Sequence, residues 1–388
     1  MYSMSRKAFR ATFTFLALLC TAACGGGSDE FVYLGVAGPL SAANGTSMRM
    51  AAEMAVEEIN RDGGIGGRQV RLLMMDDKAD PQVALTIADS LRRDARVVAV
   101  VGHLNSGPSL KAAEIYNAPQ GQRAGDPLMH ISPASSAPAF TQAGDWSFRV
   151  TPTDLEFAPV LARGITELGR RRAAVLYAND DYGQGVMTTF ERAFRSGGGA
   201  VVSADPYLPA VVASGTELDP YLSRAIRRGA DALVIGGQAE TGLKIILAAR
   251  RLGFTGPIFG SDGLTGLKDA GAPAEGVFIS SAFLADRQSD LAREFVTRYR
   301  ARNNNAVPDH RGAMTYDVIN LLRRAINEVG TDREKVRDYV ARIGAEGGSE
   351  AFEGVSGTIR FDKNGDVIGK EVSLGVVRGG QLLTAVRR

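Results

Sequence analysis

Two hydrophobic periods alternate along this chain. FVYLGVA (31–37), VRLLMM (70–75) and VVAVV (97–101) are short apolar runs rich in β-formers, each followed by Gly, Pro, Asp or Asn. Such runs predict strands buried on both faces. GPLSAANGTS (38–47) reads as a loop. From Met48, apolar residues fall at 48, 51, 52, 55, 56 and 59, which is one face of a helix that Asn60 and GGIGG (63–67) end. Pro81 suits a first helical turn, with Ala84, Ile87, Ala88 and Leu91 on one face behind it. The order βαβαβ, with right-handed crossovers, predicts a parallel sheet covered by helices.

The pattern then repeats. DWSFRVTPTD (145–154) reads as a crossing segment between two units. Helices are predicted at about 156–168, 185–196, 216–228 and 240–252, interleaved with strands at AAVLYA (173–178), AVVS (200–203), DALVIGG (231–237), PIFGSDG (257–263) and GVFISSAF (276–283). Three more helices are predicted at about 288–302, 312–328 and 332–344. Residues 356–386 predict antiparallel pairing, with Asn364-Gly365 as a hairpin turn. The fold class is α/β, in two units of similar pattern without a tandem sequence repeat.

Two loops stand out. GHLNSGPS (102–109) and ISPASS (131–136) each come after an apolar strand and end in small hydroxyl residues, Gly and Pro. A helix beginning there would leave its first N–H groups without internal partners, at the positive end of its dipole. Ligands of open parallel sheets sit outside the carboxyl ends of the strands. The two loops are therefore expected to hold the carboxylate end of a small ligand.

Charge and the N-terminus narrow the function. Arg6, Lys7 and Arg10 precede a short apolar core, ATFTFLALLC (11–20), and TAAC (21–24) puts small residues before Cys24. This predicts an export signal over 1–23 and a Gly-rich tether over 24–30. Losing those three cations turns the formal net charge from +2 to −1, which leaves no basic field for nucleic acid. Both cysteines, Cys20 and Cys24, lie in this segment, so the remainder can form neither an internal disulfide nor a Cys-based metal site. His103, His130 and His310 are scattered, FDKNGD (361–366) lacks calcium-loop spacing, and no nucleophile elbow, phosphate loop or dinucleotide fingerprint is present. No cofactor and no catalysis are expected.

TAAC resembles the lipobox of bacterial lipoproteins, although Thr21 stands where Leu is usual. The resemblance implies a lipid on Cys24 and contact with the membrane through that anchor only. The rest resembles the periplasmic branched-chain amino-acid binding proteins, the leucine/isoleucine/valine group of ABC-transporter solute-binding proteins. The resemblance rests on GPLS…NG (38–45), EEINRDGGIGGR (57–68), DDKADPQVA (76–84), VVGHLNSGPS (100–109), ISPASSAP (131–138), FRVTPTD (148–154), NDDYGQG (179–185) and GFTGPIFGSDG (253–263). It implies a type I periplasmic binding fold: two Rossmann-like lobes with parallel sheets, joined by three hinge crossings. The lobes would comprise 31–150 plus 284–353, and 151–283 plus 354–388.

The resemblance also implies roles for individual residues. Ser106 would hold the ligand carboxylate through its hydroxyl and N–H. The Ala134 carbonyl would accept from the ligand ammonium, with Ser136 at the same end. Tyr182 would close over the ligand, and Asp262 would pair with the ammonium. Tyr182 also suits a core aromatic, and Asp262 a turn or cap carboxylate. Asn44 and Gln238 stand where branched-chain binders often carry Tyr, which favours a polar or larger ligand side chain. The family's first-lobe disulfide is precluded by Ala79 and Asn105. NAPQGQRAGDP (117–127) looks longer than the family pattern and is expected at the cleft rim. The implied function is capture of an amino acid or related carboxylate by hinge closure, and its delivery to ABC permease subunits in the periplasm or cell envelope. Alternatives are a sensory receptor for amides, urea or aromatic acids, and an envelope scaffold with an empty cleft.

Overall fold

The computed structural model describes residues 30–284, 286 and 289–385. The predicted signal segment, Cys24 and residues 25–29 of the tether lie outside them. Among the described residues, the first sheet is built from β1 (Phe31–Gly38), β2 (Gln69–Asp76), β3 (Val97–Gly102), β4 (His130–Ser132) and β5 (Ser147–Arg149). They lie side by side in the order β2-β1-β3-β4-β5, all neighbours parallel. VVAVVG is buried at every position because β3 is the middle strand with helices on both faces. Those helices begin with α1 (Ala43–Arg61), α2 (Pro81–Arg93) and α3 (Ser106–Tyr116). Asp80 caps α2, its carboxylate accepting from the N–H groups of Gln82 and Val83, and Pro81 comes next as expected.

The second lobe runs α4 (Asp154–Glu167), β6 (Arg172–Ala178), α5 (Asp181–Ser196), β7 (Ala200–Tyr207), α6 (Asp219–Arg227), β8 (Ala232–Gly236), α7 (Ala239–Arg251), β9 (Ile258–Gly260) and β10 (Phe278–Ser281). Its strands are parallel in the order β10-β9-β8-β6-β7. The chain then adds α8 (Asp290–Arg302), α9 (His310–Val329) and α10 (Arg333–Ala341), a small ribbon of β11 (Phe352–Gly354) and β12 (Gly357–Ile359), and the strands β13 (Ser373–Arg378) and β14 (Gln381–Thr384). β13 pairs antiparallel with β10, and β14 with β13. The final third thus serves both lobes: α9 and α10 pack Met314, Ile319, Leu322 and Val340 into the first core, while β13 extends the second sheet.

Four readings change. The first helix begins at Ala43, before its apolar stripe, and takes in Asn44. Its start is set by close approach: a Cβ on Gly45 would lie 2.1 Å from the Pro39 carbonyl oxygen. Ser147–Arg149, read as part of a crossing, is the edge strand of the first sheet, so the chain leaves that sheet only after 149. The 117–127 loop is at the opposite end from the cleft. It leaves the carboxyl end of α3, and the guanidinium of Arg92 at the end of α2 donates to the carbonyls of Ala118 and Gly125. A loop that leaves a helix in a βαβ unit returns to the amino ends of the strands, so length alone could not put it at the rim. Ile359, Phe361 and Val367, expected in the second lobe, pack in the first core. The Asn364-Gly365 turn is present, with φ +89° at Gly365 and a single antiparallel bridge, Phe361 to Val367.

That turn has a structural role. The Gly365 carbonyl accepts from the Arg149 N–H, and Asp366 accepts from the Arg149 guanidinium. Arg149 is fully buried, and its remaining donors reach the carbonyls of Ser135, Ala137 and Pro138 and the hydroxyl of Thr141. Removing one partner of a buried charge network costs about 3–5 kcal/mol. Arg149→Met is therefore expected to lower stability by about that much in urea denaturation.

Candidate functional site

The carboxyl ends of both parallel sheets face one cleft, as the topology requires. From the first lobe come the segment after β3 (Leu104, Asn105, Ser106) and Ala134 after β4. From the second come Tyr182 after β6, Gln238 after β8, and Asp262 and Gly263 after β9. Arg311 completes the wall from α9. The space these residues line, open solvent included, is about 260 Å³.

Five helix N-termini meet here. Ser106 opens α3, Tyr182 lies in the first turn of α5, Gln238 caps α7, Asp262 opens a helix of 3-10 type, and Arg311 is the second residue of α9. Each N-terminus is the positive end of its helix, although Asp180 caps α5 and Asp309 caps α9 by accepting from the Gly183 and Gly312 N–H groups. Together they make a field that favours anionic groups on a ligand.

The first-lobe loops are tied together. Ser106 is buried, and its hydroxyl accepts from the Ala137 N–H at 3.3 Å. Ser132 Oγ accepts from the Ala134 and Ser135 N–H groups and donates to the His103 carbonyl. The second loop departs from expectation, because it leads into a short 3-10 turn at Thr141–Ala143 and then β5. Only the first loop feeds directly into a helix N-terminus. Ser136 is fully buried, and its hydroxyl has no hydrogen-bond partner among the described residues.

The second-lobe wall centres on Asp262. Oδ1 accepts from the Tyr182 hydroxyl at 2.9 Å and from Ser261 at 3.2 Å. His310 Nε2 stands 3.4 Å from Oδ2, within ion-pair range but outside hydrogen-bond geometry. Burial alone would raise the Asp262 carboxyl, but His310, Arg311 and Tyr182 outweigh it and hold it below the ordinary carboxylate range. Asp262 is thus an anion available to a ligand cation. The Tyr182 hydroxyl also accepts from the Gly263 N–H at 2.8 Å, so the tyrosine is fixed to the second-lobe wall. Glycine is required at 263, because a Cβ there would lie 2.6 Å from that hydroxyl oxygen.

The other expected residues separate. Gln238 lines the pocket, and its Oε1 accepts from Arg311 at 3.3 Å. Asn44 is half-buried in the first turn of α1, outside the pocket lining, and Ser136 lies behind it. Sequence reading passed over Arg311, His310, Asn105 and Asp154. Arg311 and His310 lie in a helix of the final third, with no motif to mark them, and only tertiary packing brings that helix to the cleft. Asp154 ended the segment read as a crossing and carried no role of its own. It is 1% exposed, and neither carboxylate oxygen has a hydrogen-bond partner among the described residues. Burial, then the charge of Asp262, raises its carboxyl to about 7 against the opposing effects of Ser136 and Arg149.

Comparison with known proteins supports the two-lobed α/β fold. The model of the family described as "Periplasmic binding protein" matches residues 32–381. A leucine-, isoleucine-, valine-, threonine- and alanine-binding protein of Pseudomonas aeruginosa is 26% identical over 351 residues, covering 87% of each chain. An ABC transporter substrate-binding protein of Desulfitobacterium hafniense, solved with Leu, superposes with TM-score 0.75 at 29% identity, covering 92% of this chain and all of that one. A leucine-binding protein of Thermotoga maritima gives TM-score 0.80 at 25% identity, covering 92% and 98%.

Asp154 should give the protein a distinctive pH dependence. Between about 4 and 7 the folded, ligand-free state holds a proton on Asp154 that the unfolded chain has released. This contribution to stability therefore falls as pH rises through that window and levels off above it. Asp154→Asn should remove the slope, so its stability relative to the native sequence is higher at about pH 7.5 than at about pH 5 in urea titrations.

Proposed function

The chain belongs to the periplasmic binding protein family, and from that premise we propose that it is the solute receptor of an ABC importer. It binds a small amino acid or amino-acid-like carboxylate between its lobes. The observation that carries this is the pairing of opposite electrostatics in one pocket: converging helix N-termini for a carboxylate, and the Asp262 anion for an ammonium. The amino-acid ligands named for the relatives support the same class.

In this reading Ser106 and its helix N-terminus take the ligand carboxylate, and the Ala134 carbonyl, with Ser136 at the same end, takes the ligand ammonium. Tyr182 and Gln238 form the second-lobe wall, and Asn44 acts from the rim of the first lobe. Closure about the hinge crossings, near 150, near 284 and between Val367 and Ser373, completes the cage, and the closed face is what the permease subunits read. The chain is exported by residues 1–23 and held at the envelope by lipid on Cys24. Among the described residues no helix is long and apolar enough to cross a membrane.

Two measurements test this. Calorimetric titration of protein freed of co-purified ligand by unfolding and refolding should detect an amino acid, and Asp262→Ala should weaken it by about 10–100-fold, the loss of one charge-assisted bond. Undiminished binding would remove Asp262 from the site, and the absence of any small ligand would leave a scaffold role. Membrane fractionation should find the native chain with the envelope and Cys24→Ser in the soluble fraction.

A further inference from the structure

The charge of the pocket's far wall bears on which amino acid it takes. Arg311 is 4% exposed and lines the cavity. Its Nη1 is committed to the Thr265 hydroxyl at 2.8 Å and the Asp309 carboxylate at 2.9 Å. Its Nη2 has only long contacts, 3.3 Å to Gln238 Oε1 and 3.5 Å to the Gly263 carbonyl. A guanidinium presents five N–H donors in a planar fork, and one edge of this one is weakly bonded where it borders the cavity.

The position sharpens the point. A cation in the first turn of a helix opposes the helix dipole, so α9 gains nothing from Arg311 where it is. Asp309 caps that helix, accepting from the Gly312 N–H, and balances the cation. Burial alone would raise the Asp309 carboxyl, but Arg311 and His310 keep it well below the ordinary range, so the ion pair persists at any physiological pH. The same wall holds the carboxamide of Gln238, while Leu104 and Ala134 are the apolar side chains of the lining. A branched hydrocarbon seated here would strip water from the Arg311 fork and return no acceptor. Sites built around a buried hydrogen-bonding group reject analogues that lack its partner by large factors.

We infer that Arg311, with Gln238, reads a second acidic group on the ligand, so that the receptor selects α-amino acids whose side chain ends in a carboxylate. This rests on the amino-acid reading above and names its substrate class. The ligand's ammonium pairs with Asp262, its α-carboxylate with the Ser106 helix N-terminus, and its distal carboxylate with the weakly bonded edge of Arg311. The same contact spans the lobes, since Arg311 comes from α9, whose helix packs in the first core, and Thr265, Gln238 and Gly263 from the second-lobe loops. Ligand acid and interlobe closure are therefore linked.

The test is calorimetric titration of the refolded, ligand-free full chain with L-glutamate, L-aspartate, L-glutamine and L-leucine. The expected result is an acidic amino acid bound about 100-fold or more tighter than leucine. Arg311→Met should cost the acidic ligand about 100-fold and glutamine under about 10-fold, while Arg311→Lys, which keeps the charge, recovers part of the loss. Leucine or glutamine bound as tightly as glutamate by the native chain would overturn the inference and leave the amino-acid reading standing. So would an Arg311→Met variant that weakens every ligand equally, which is the signature of an interlobe latch. Failure of all four to bind would overturn both.

Discussion

The buried guanidinium of Arg149 is the constraint on which the ligand-facing architecture rests. A charge removed from water must have every donor met, and this one meets all five through three carbonyls, a hydroxyl and a carboxylate. The carbonyls belong to Ser135, Ala137 and Pro138, so the loop that presents Ala134 and Ser136 has no freedom to drift. The carboxylate belongs to Asp366, far along the chain, so the same charge draws the end of the chain back to the edge of the first sheet. Loop position and chain closure are settled by one side chain.

Around that frame the cleft carries unmet demand. Asn105 Oδ1, Ser136 Oγ, both Asp154 oxygens and His310 Nε2 are buried without hydrogen-bond partners among the described residues. Each such atom costs about 1–3 kcal/mol where it stands. Of these atoms Asn105 Oδ1 belongs to a residue of the pocket lining, where a ligand donor that meets it converts the cost into affinity. The two carboxylates illustrate the division. Asp262 is held as an anion by His310, Arg311 and Tyr182, whereas Asp154, with no cation in hydrogen-bond contact, is pushed towards neutrality.

The sequence by itself determined the alternation of strands and helices, the parallel α/β class and the family. Short apolar runs and helical stripes are local signals, and motifs such as GHLNSGPS and GSDG sit at strand ends wherever the chain goes. It marked Ser106, Ala134, Tyr182, Gln238 and Asp262, which the tertiary structure brings onto one pocket. It did not mark Arg311 or Asp154, because each is an ordinary surface-type residue in its local context. Helix α9 starts only at His310, far downstream of Tyr182, and packing on α1 and the first core brings its N-terminus to the cleft. Tertiary structure likewise decided that α1 starts at Ala43, with Gly45 in its first turn fitted against the Pro39 carbonyl, and that the 117–127 loop belongs to the floor of the sheet. The reason is common to these cases: periodicity reports which face of an element is buried, while the charge a pocket presents depends on which element ends meet in space.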